Sequence, residues 1–166
     1  MIKKEKKFKW LEKGSKGENV ILLHGLMGGV ENFGDMVNYI SKECKVYGLD
    51  LRLFEGIKLN VSVKKLSDYL YSFMNHLNIK QAVLIGNSMG GHIGLIFAKE
   101  HPEMVKGLIL TGSSGLFENS MGDSFPRRGD YNYIKKKTEE VFYDPKVATK
   151  ELVDRVFKLA NNRINL

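Results

Sequence analysis

Three short aliphatic runs constrain the fold of this sequence more than any other feature: Val20-Ile21-Leu22-Leu23, Ala82-Val83-Leu84-Ile85 and Leu108-Ile109-Leu110. None alternates with polar residues, so each suits a strand buried on both faces, as in a parallel sheet. Val46-Tyr47-Gly48-Leu49 is a weaker fourth run. Helical patterns lie between them. Over 64–77, Leu66, Tyr69, Leu70, Phe73 and Leu77 share one face. Over 89–100, Ile93, Ile96 and Phe97 do the same, and Gly90 and Gly94 let that helix lie close to the sheet. This helix is expected to stop before His101-Pro102, because proline disfavours helical backbone in the residue before it. Strands alternating with helices predict an α/β class, a mostly parallel sheet with flanking helices. Residues 6–13 read as an edge strand with no evident antiparallel partner.

After Thr111 the character changes. Gly112-Ser113-Ser114-Gly115 is a loop, and 116–130 holds turn formers that include Pro126 and Gly129. Two helical stretches follow. Asp130 is a candidate N-cap for the first, and Asp144-Pro145 is expected to start the second, with Leu152, Val156 and Leu159 as its apolar stripe. The expected division is a core over 1–115 and a helical segment over 116–166.

The strongest chemical signal is Gly86-Asn87-Ser88-Met89-Gly90-Gly91, directly after the strand at 82–85 and directly before a helix. G-x-S-x-G in that setting presents a serine on a sharp strand-to-helix turn, where side chains at Gly86 or Gly90 would collide with the backbone. The helix N-terminus supplies free N–H groups and a positive dipole end for a developing oxyanion. The alternative is a glycine-rich turn that merely contains a serine. Ser88 is the candidate nucleophile.

His24-Gly25-Leu26-Met27-Gly28-Gly29 ends the first buried run. Acyl transfer needs two donors converging on one oxygen. The N–H of Met89 would be one, and the N–H of Leu26 is placed to be the other. Read alone, the 24–29 loop could cradle a phosphate, but it lacks the Gly-Lys-Ser/Thr ending of a P-loop and the spacing of a dinucleotide fingerprint.

Together with Leu-Thr-Gly-Ser-Ser-Gly at 110–115, these two motifs resemble the α/β-hydrolase superfamily, in particular its small esterases and carbon–carbon bond hydrolases with a helical cap. The resemblance spans nearly the whole chain. It implies Ser88 as nucleophile, the Leu26 and Met89 amides as oxyanion hole, and a cap beginning at about 116. Gly25, Gly86 and Gly90 would support the motif, and His24 would shape the oxyanion loop rather than act as base. The stretch Asp50 to Gly56 departs from the pattern by lacking the usual proline-and-glycine turn.

The triad in this fold runs serine, acid, histidine along the chain. The four histidines are His24, His76, His92 and His101, and none follows residue 101. Asp123 and Asp130 follow the third run, but each reads better as a solvated loop residue or helix cap. A sheet lacking its C-terminal strands, a cap lacking its return and an absent base would all follow from truncation. The expected activity is serine hydrolysis of a small-molecule ester or related acyl substrate, with this chain by itself inactive. The alternatives are a carbon–carbon bond hydrolase or a non-catalytic binding protein on the same fold.

Composition bounds the rest. With 166 residues, 43% of them apolar, one sizeable core is expected. Cys44 is the only cysteine, so no internal disulfide can form, and with no signal-peptide pattern a cytoplasmic location is expected. No run of residues is long and apolar enough to span a bilayer. The net charge of +7 raises nucleic acid as a partner, but its clusters match no nucleic-acid motif and read as a solvated face. No metal, cofactor, nucleic acid or membrane is expected.

Overall fold

The structure, a computed structural model, describes residues 1–26, 28–51, 62–116, 127 and 129–161. These divide into two compact units, one up to residue 116 and the other from 127 onward.

The first unit is built on six strands: β1 (Ile2–Glu5), β2 (Phe8–Lys13), β3 (Asn19–Leu23), β4 (Lys45–Leu49), β5 (Ala82–Asn87) and β6 (Val105–Thr111). They are ordered β1-β2-β4-β3-β5-β6. β4, β3, β5 and β6 run parallel, while β1 pairs β2 and β2 pairs β4 antiparallel. Three helices accompany them, α1 (Gly34–Ile40), α2 (Val63–His76) and α3 (Met89–Glu100). The period of two along β3 explains its unbroken apolar run. Ile21 and Leu23 join a cluster with Trp10, Leu70, Phe73 and Phe97, drawing on α2 and α3. Val20 and Leu22 join Phe33, Val37, Val46 and Ile85, drawing on α1. Both faces are therefore covered, as a parallel sheet requires.

The expectation of an edge strand at 6–13 needs correction. Its strand, β2, lies between β1 and β4, with Trp10 opposite Leu49, and β1 is the edge. A tight turn, with Lys6 at φ 50°, joins the two strands. β1 escapes detection because its side chains are mostly charged and exposed, the composition that guards an edge against unwanted pairing.

Glu12 knits this hairpin. Its carboxylate accepts from Trp10 Nε1 at 3.0 Å and pairs with Lys3 Nζ at 3.0 Å. Burial alone would raise its carboxyl pKa, but the Trp10 hydrogen bond and the Lys3 ammonium outweigh burial and hold it below the ordinary 4.5. A depressed carboxylate adds stability above its unfolded pKa and loses it as pH falls through the folded one. Acid titration of unfolding should therefore show Glu12→Gln losing less stability than wild type below pH 4.5, by less than about 1 kcal/mol.

The second unit pairs α4 (Tyr131–Glu139) with α5 (Lys150–Asn161). Asp130 caps α4, its Oδ1 accepting the Tyr133 N–H at 3.1 Å. Asp144 does not start α5. It caps only the 3-10 turn Pro145–Val147, Ala148 then leaves helical backbone (φ −75°, ψ 71°), and Thr149 Oγ1 caps α5 by accepting the Leu152 N–H at 3.3 Å. Ile134, Val153 and Val156 are buried, while Leu152 and Leu159 are half-buried. The Tyr131 ring meets Phe157 at 5.3 Å and its hydroxyl donates to Asp154 at 2.6 Å. In the basic run, Lys135 pairs with Glu139 and Lys137 with Glu140.

Residues 52–56, Met27, Asp123 and Pro126 lie outside the described residues. Among the described residues, no helix is long and apolar enough to cross a membrane.

Candidate active site

β5 ends at Asn87 and α3 begins at Met89, so Ser88 alone makes the turn between them. Its backbone stands at φ 53°, ψ −120°, a region that L-residues rarely enter. Holding a non-glycine residue there costs about 1–3 kcal/mol and persists only where the surroundings over-determine it. Four hydrogen bonds do so. The Ser88 N–H donates to Thr111 O at 3.1 Å, and Ser88 O accepts from the N–H groups of Gly91 (3.0 Å), His92 (3.2 Å) and Ser114 (3.2 Å). Ser88 itself is exposed. Ser88→Gly removes the Cβ penalty and should raise the urea unfolding free energy by about 1 kcal/mol.

The flanking glycines are required by contact. A Cβ on Gly86 would sit 2.5 Å from Gly90 O, and one on Gly90 would sit 2.0 Å from Leu23 O. α3 therefore starts directly against the end of β3. As the first residue of α3, Met89 has an N–H with no acceptor inside the helix.

The loop after β3 comes to the same place. A Cβ on Gly25 would lie 3.2 Å from Ser88 Cβ and 3.3 Å from Asn87 Oδ1. Gly28 N–H closes a turn on Gly25 O at 3.1 Å, in which the N–H of Leu26, its second residue, takes no part. Leu26 is exposed.

His24 is buried and fully committed. Its Nε2 accepts the Leu51 N–H at 3.0 Å, which places the ring proton on Nδ1, 2.9 Å from Gly25 O. It ties the loop after β3 to the end of β4. Two of the other histidines are engaged elsewhere. His76 stacks on Phe8 at 5.1 Å with Nε2 3.2 Å from Glu5, and His101 stacks on Tyr71 at 4.4 Å. His92 lies one turn into α3, where a Cβ on Gly115 would come within 2.5 Å of its ring. Among the described residues, no side chain hydrogen-bonds Ser88 Oγ, and no group of three or more His, Cys, Asp or Glu could hold a metal ion.

The structure thus brings Ser88, Gly25, Gly86 and Gly90 together, with His24 bracing the loop. Sequence reasoning gave no role to Asn87, Thr111 or Ser114, which surround the Ser88 backbone. The signal available was their place at the ends of neighbouring parallel strands.

The fold has counterparts among known proteins. A family model described as alpha/beta hydrolase fold matches residues 18–141. The acetyltransferase component of the acetoin cleaving system of Pseudomonas putida is 30% identical over 90% of this chain and 42% of its own length. A 2-hydroxy-6-oxo-6-(2'-aminophenyl)hexa-2,4-dienoic acid hydrolase of Metapseudomonas resinovorans is 32% identical over 81% of this chain and 51% of its own. This chain therefore spans about half the length of these curated relatives. Among solved structures, an alpha/beta hydrolase enzyme from a lagoon-sediment metagenome superposes with a TM-score of 0.66 at 34% identity, covering 93% of this chain and 66% of that one. A 2-hydroxy-6-oxo-6-phenylhexa-2,4-dienoate hydrolase from Rhodococcus reaches a TM-score of 0.79 at 23% identity, covering 95% and 63%. The strand order, the serine turn between β5 and α3 and these matches agree: this chain belongs to the alpha/beta hydrolase fold family.

Proposed function

We propose that the chain carries the nucleophile and oxyanion donors of a serine hydrolase acting on a small-molecule ester or related acyl substrate. The observation that carries this reading is the exposed Ser88 held at positive φ between β5 and α3. Strain of that kind has a use in presenting a side chain for reaction. In the proposed reaction Ser88 Oγ attacks the substrate carbonyl carbon and its proton passes to a base. The Leu26 and Met89 N–H groups donate to the resulting oxyanion. Collapse breaks the bond to the alkoxide, which leaves protonated, and water then releases the acid from the acyl-serine. The base is none of His24, His76 or His101, whose rings are engaged elsewhere, and no metal or organic cofactor takes part. We read 1–115 as the hydrolase core, 116–166 as the beginning of a helical cap, and the location as cytoplasmic.

A second reading, carbon–carbon bond hydrolysis, is favoured by the dienoic acid hydrolase that is 32% identical over 81% of this chain. A third, a non-catalytic binding protein, is favoured by the engagement of those three histidines. An ester with a nitrophenolate leaving group separates the readings, because that group departs without a proton from an acid. With solvent water taking the serine proton in place of a triad base, the full chain should release nitrophenolate from p-nitrophenyl acetate far more slowly than a complete triad would, but above the buffer rate. Cleavage of a dienoic ketone without ester cleavage would favour the second reading, and neither reaction would favour the third.

A further inference from the structure

We propose that Asn87 is a positioning residue that locks the nucleophile turn to the end of β6. The proposal rests on the hydrolase reading for its catalytic consequence, though not for the lock itself. Asn87 closes β5, and β3 and β6 are the two neighbours of that strand. Its Nδ2 donates to Thr111 O at 3.0 Å and to Thr111 Oγ1 at 3.3 Å. A carbonyl can only accept, so the NH2 side of the amide must face β6, and Oδ1 then faces Gly25.

The same Thr111 oxygen accepts the Ser88 N–H at 3.1 Å. Asn87 therefore holds in place the acceptor that anchors the strained residue. Thr111 Oγ1 donates onward to Gly86 O at 3.4 Å and closes the network around the turn. Removing the amide frees the Thr111 carbonyl to swing, and the Ser88 N–H loses a fixed partner. Asn87 acts through Ser88, whose backbone sets the direction of Oγ relative to Leu26 and Met89.

An isosteric carboxylate tests the chemistry. Asn87→Asp keeps the shape but presents only acceptors to Thr111 O while ionised. Once protonated, its O–H can donate again. A residue that merely filled space would show no such dependence on pH.

The experiment measures, in the full chain, the hydrogen-exchange protection factor of the Ser88 amide by NMR, together with nitrophenyl acetate kinetics. In Asn87→Ala the Ser88 protection factor should fall about tenfold, the worth of one hydrogen bond, while the amides of Ile21, Leu22 and Leu23 keep theirs. The acylation rate should fall by a similar factor at unchanged KM. In Asn87→Asp the Ser88 protection should be lost at neutral pH and return below the carboxyl pKa. Because Asn87→Asp is isosteric, it decides the question even if Asn87→Ala fails to fold. Wild-type Ser88 protection in Asn87→Ala, or protection in Asn87→Asp that does not change with pH, overturns the proposal. Loss of protection in a protein that cleaves no ester in its wild-type form upholds the lock and rejects the hydrolase reading.

Discussion

Ser88→Ala is expected to bring nitrophenolate release by the full chain down to the buffer rate. Removing the serine from a complete triad costs on the order of 10⁶-fold. General-base help accounts for about 10²–10⁴ of such a rate. Serine and base act as a unit, and among the described residues no histidine reaches Ser88 Oγ, so the loss on mutation should stay far below the complete-triad figure, with the backbone oxyanion donors left in place. The substitution keeps the Cβ at φ 53°, so the unfolding midpoint should barely move. Activity and stability therefore separate at this residue. A rate unchanged by Ser88→Ala would assign the release to some other nucleophile.

Gly90→Ala has the largest expected effect on folding. The added methyl would sit 2.0 Å from Leu23 O, 2.5 Å from Leu23 C and 2.8 Å from His24 O. All three are backbone atoms at the end of a central strand, and no flexible side chain can give way. Either α3 lifts from the sheet or β3 shifts, and the Ser88 turn is lost in both cases. The cost should exceed about 3 kcal/mol, beyond ordinary overpacking, and most of the chain should be recovered unfolded or aggregated. Gly107→Ala is the matched control. Its methyl would meet only Val83 side-chain carbons at 3.7–3.8 Å, ordinary contact, and urea denaturation should place it within about 0.5 kcal/mol of wild type.

The two glycine predictions show why part of this fold can be read from sequence. Residues 20–23 and 82–85 are readable because a strand covered on both faces must be apolar throughout, and few other elements are both that short and that apolar. Ser88 is readable because a strained turn against a sheet demands glycine at Gly86 and Gly90, and that demand is local. β1 is hidden for the opposite reason, since an edge strand succeeds by looking charged. Asp144-Pro145 carries a genuine cap, but whether a capped turn grows into a helix depends on Ala148 and Thr149 further on. Asn87 and Thr111 are hidden because their bond joins strand ends 24 residues apart, and nothing local marks either residue for it. The engagement of His24 with Leu51 likewise spans 27 residues and appears only when β3 and β4 lie side by side.

Covalent capture tests the proposed role of Ser88 as nucleophile. The full chain would be treated with a fluorophosphonate, digested, and the modified peptide located by mass spectrometry. A single phosphonyl group is expected, carried on Ser88 and absent from Ser88→Ala. Modification at another residue, or equal modification of both proteins, would contradict it.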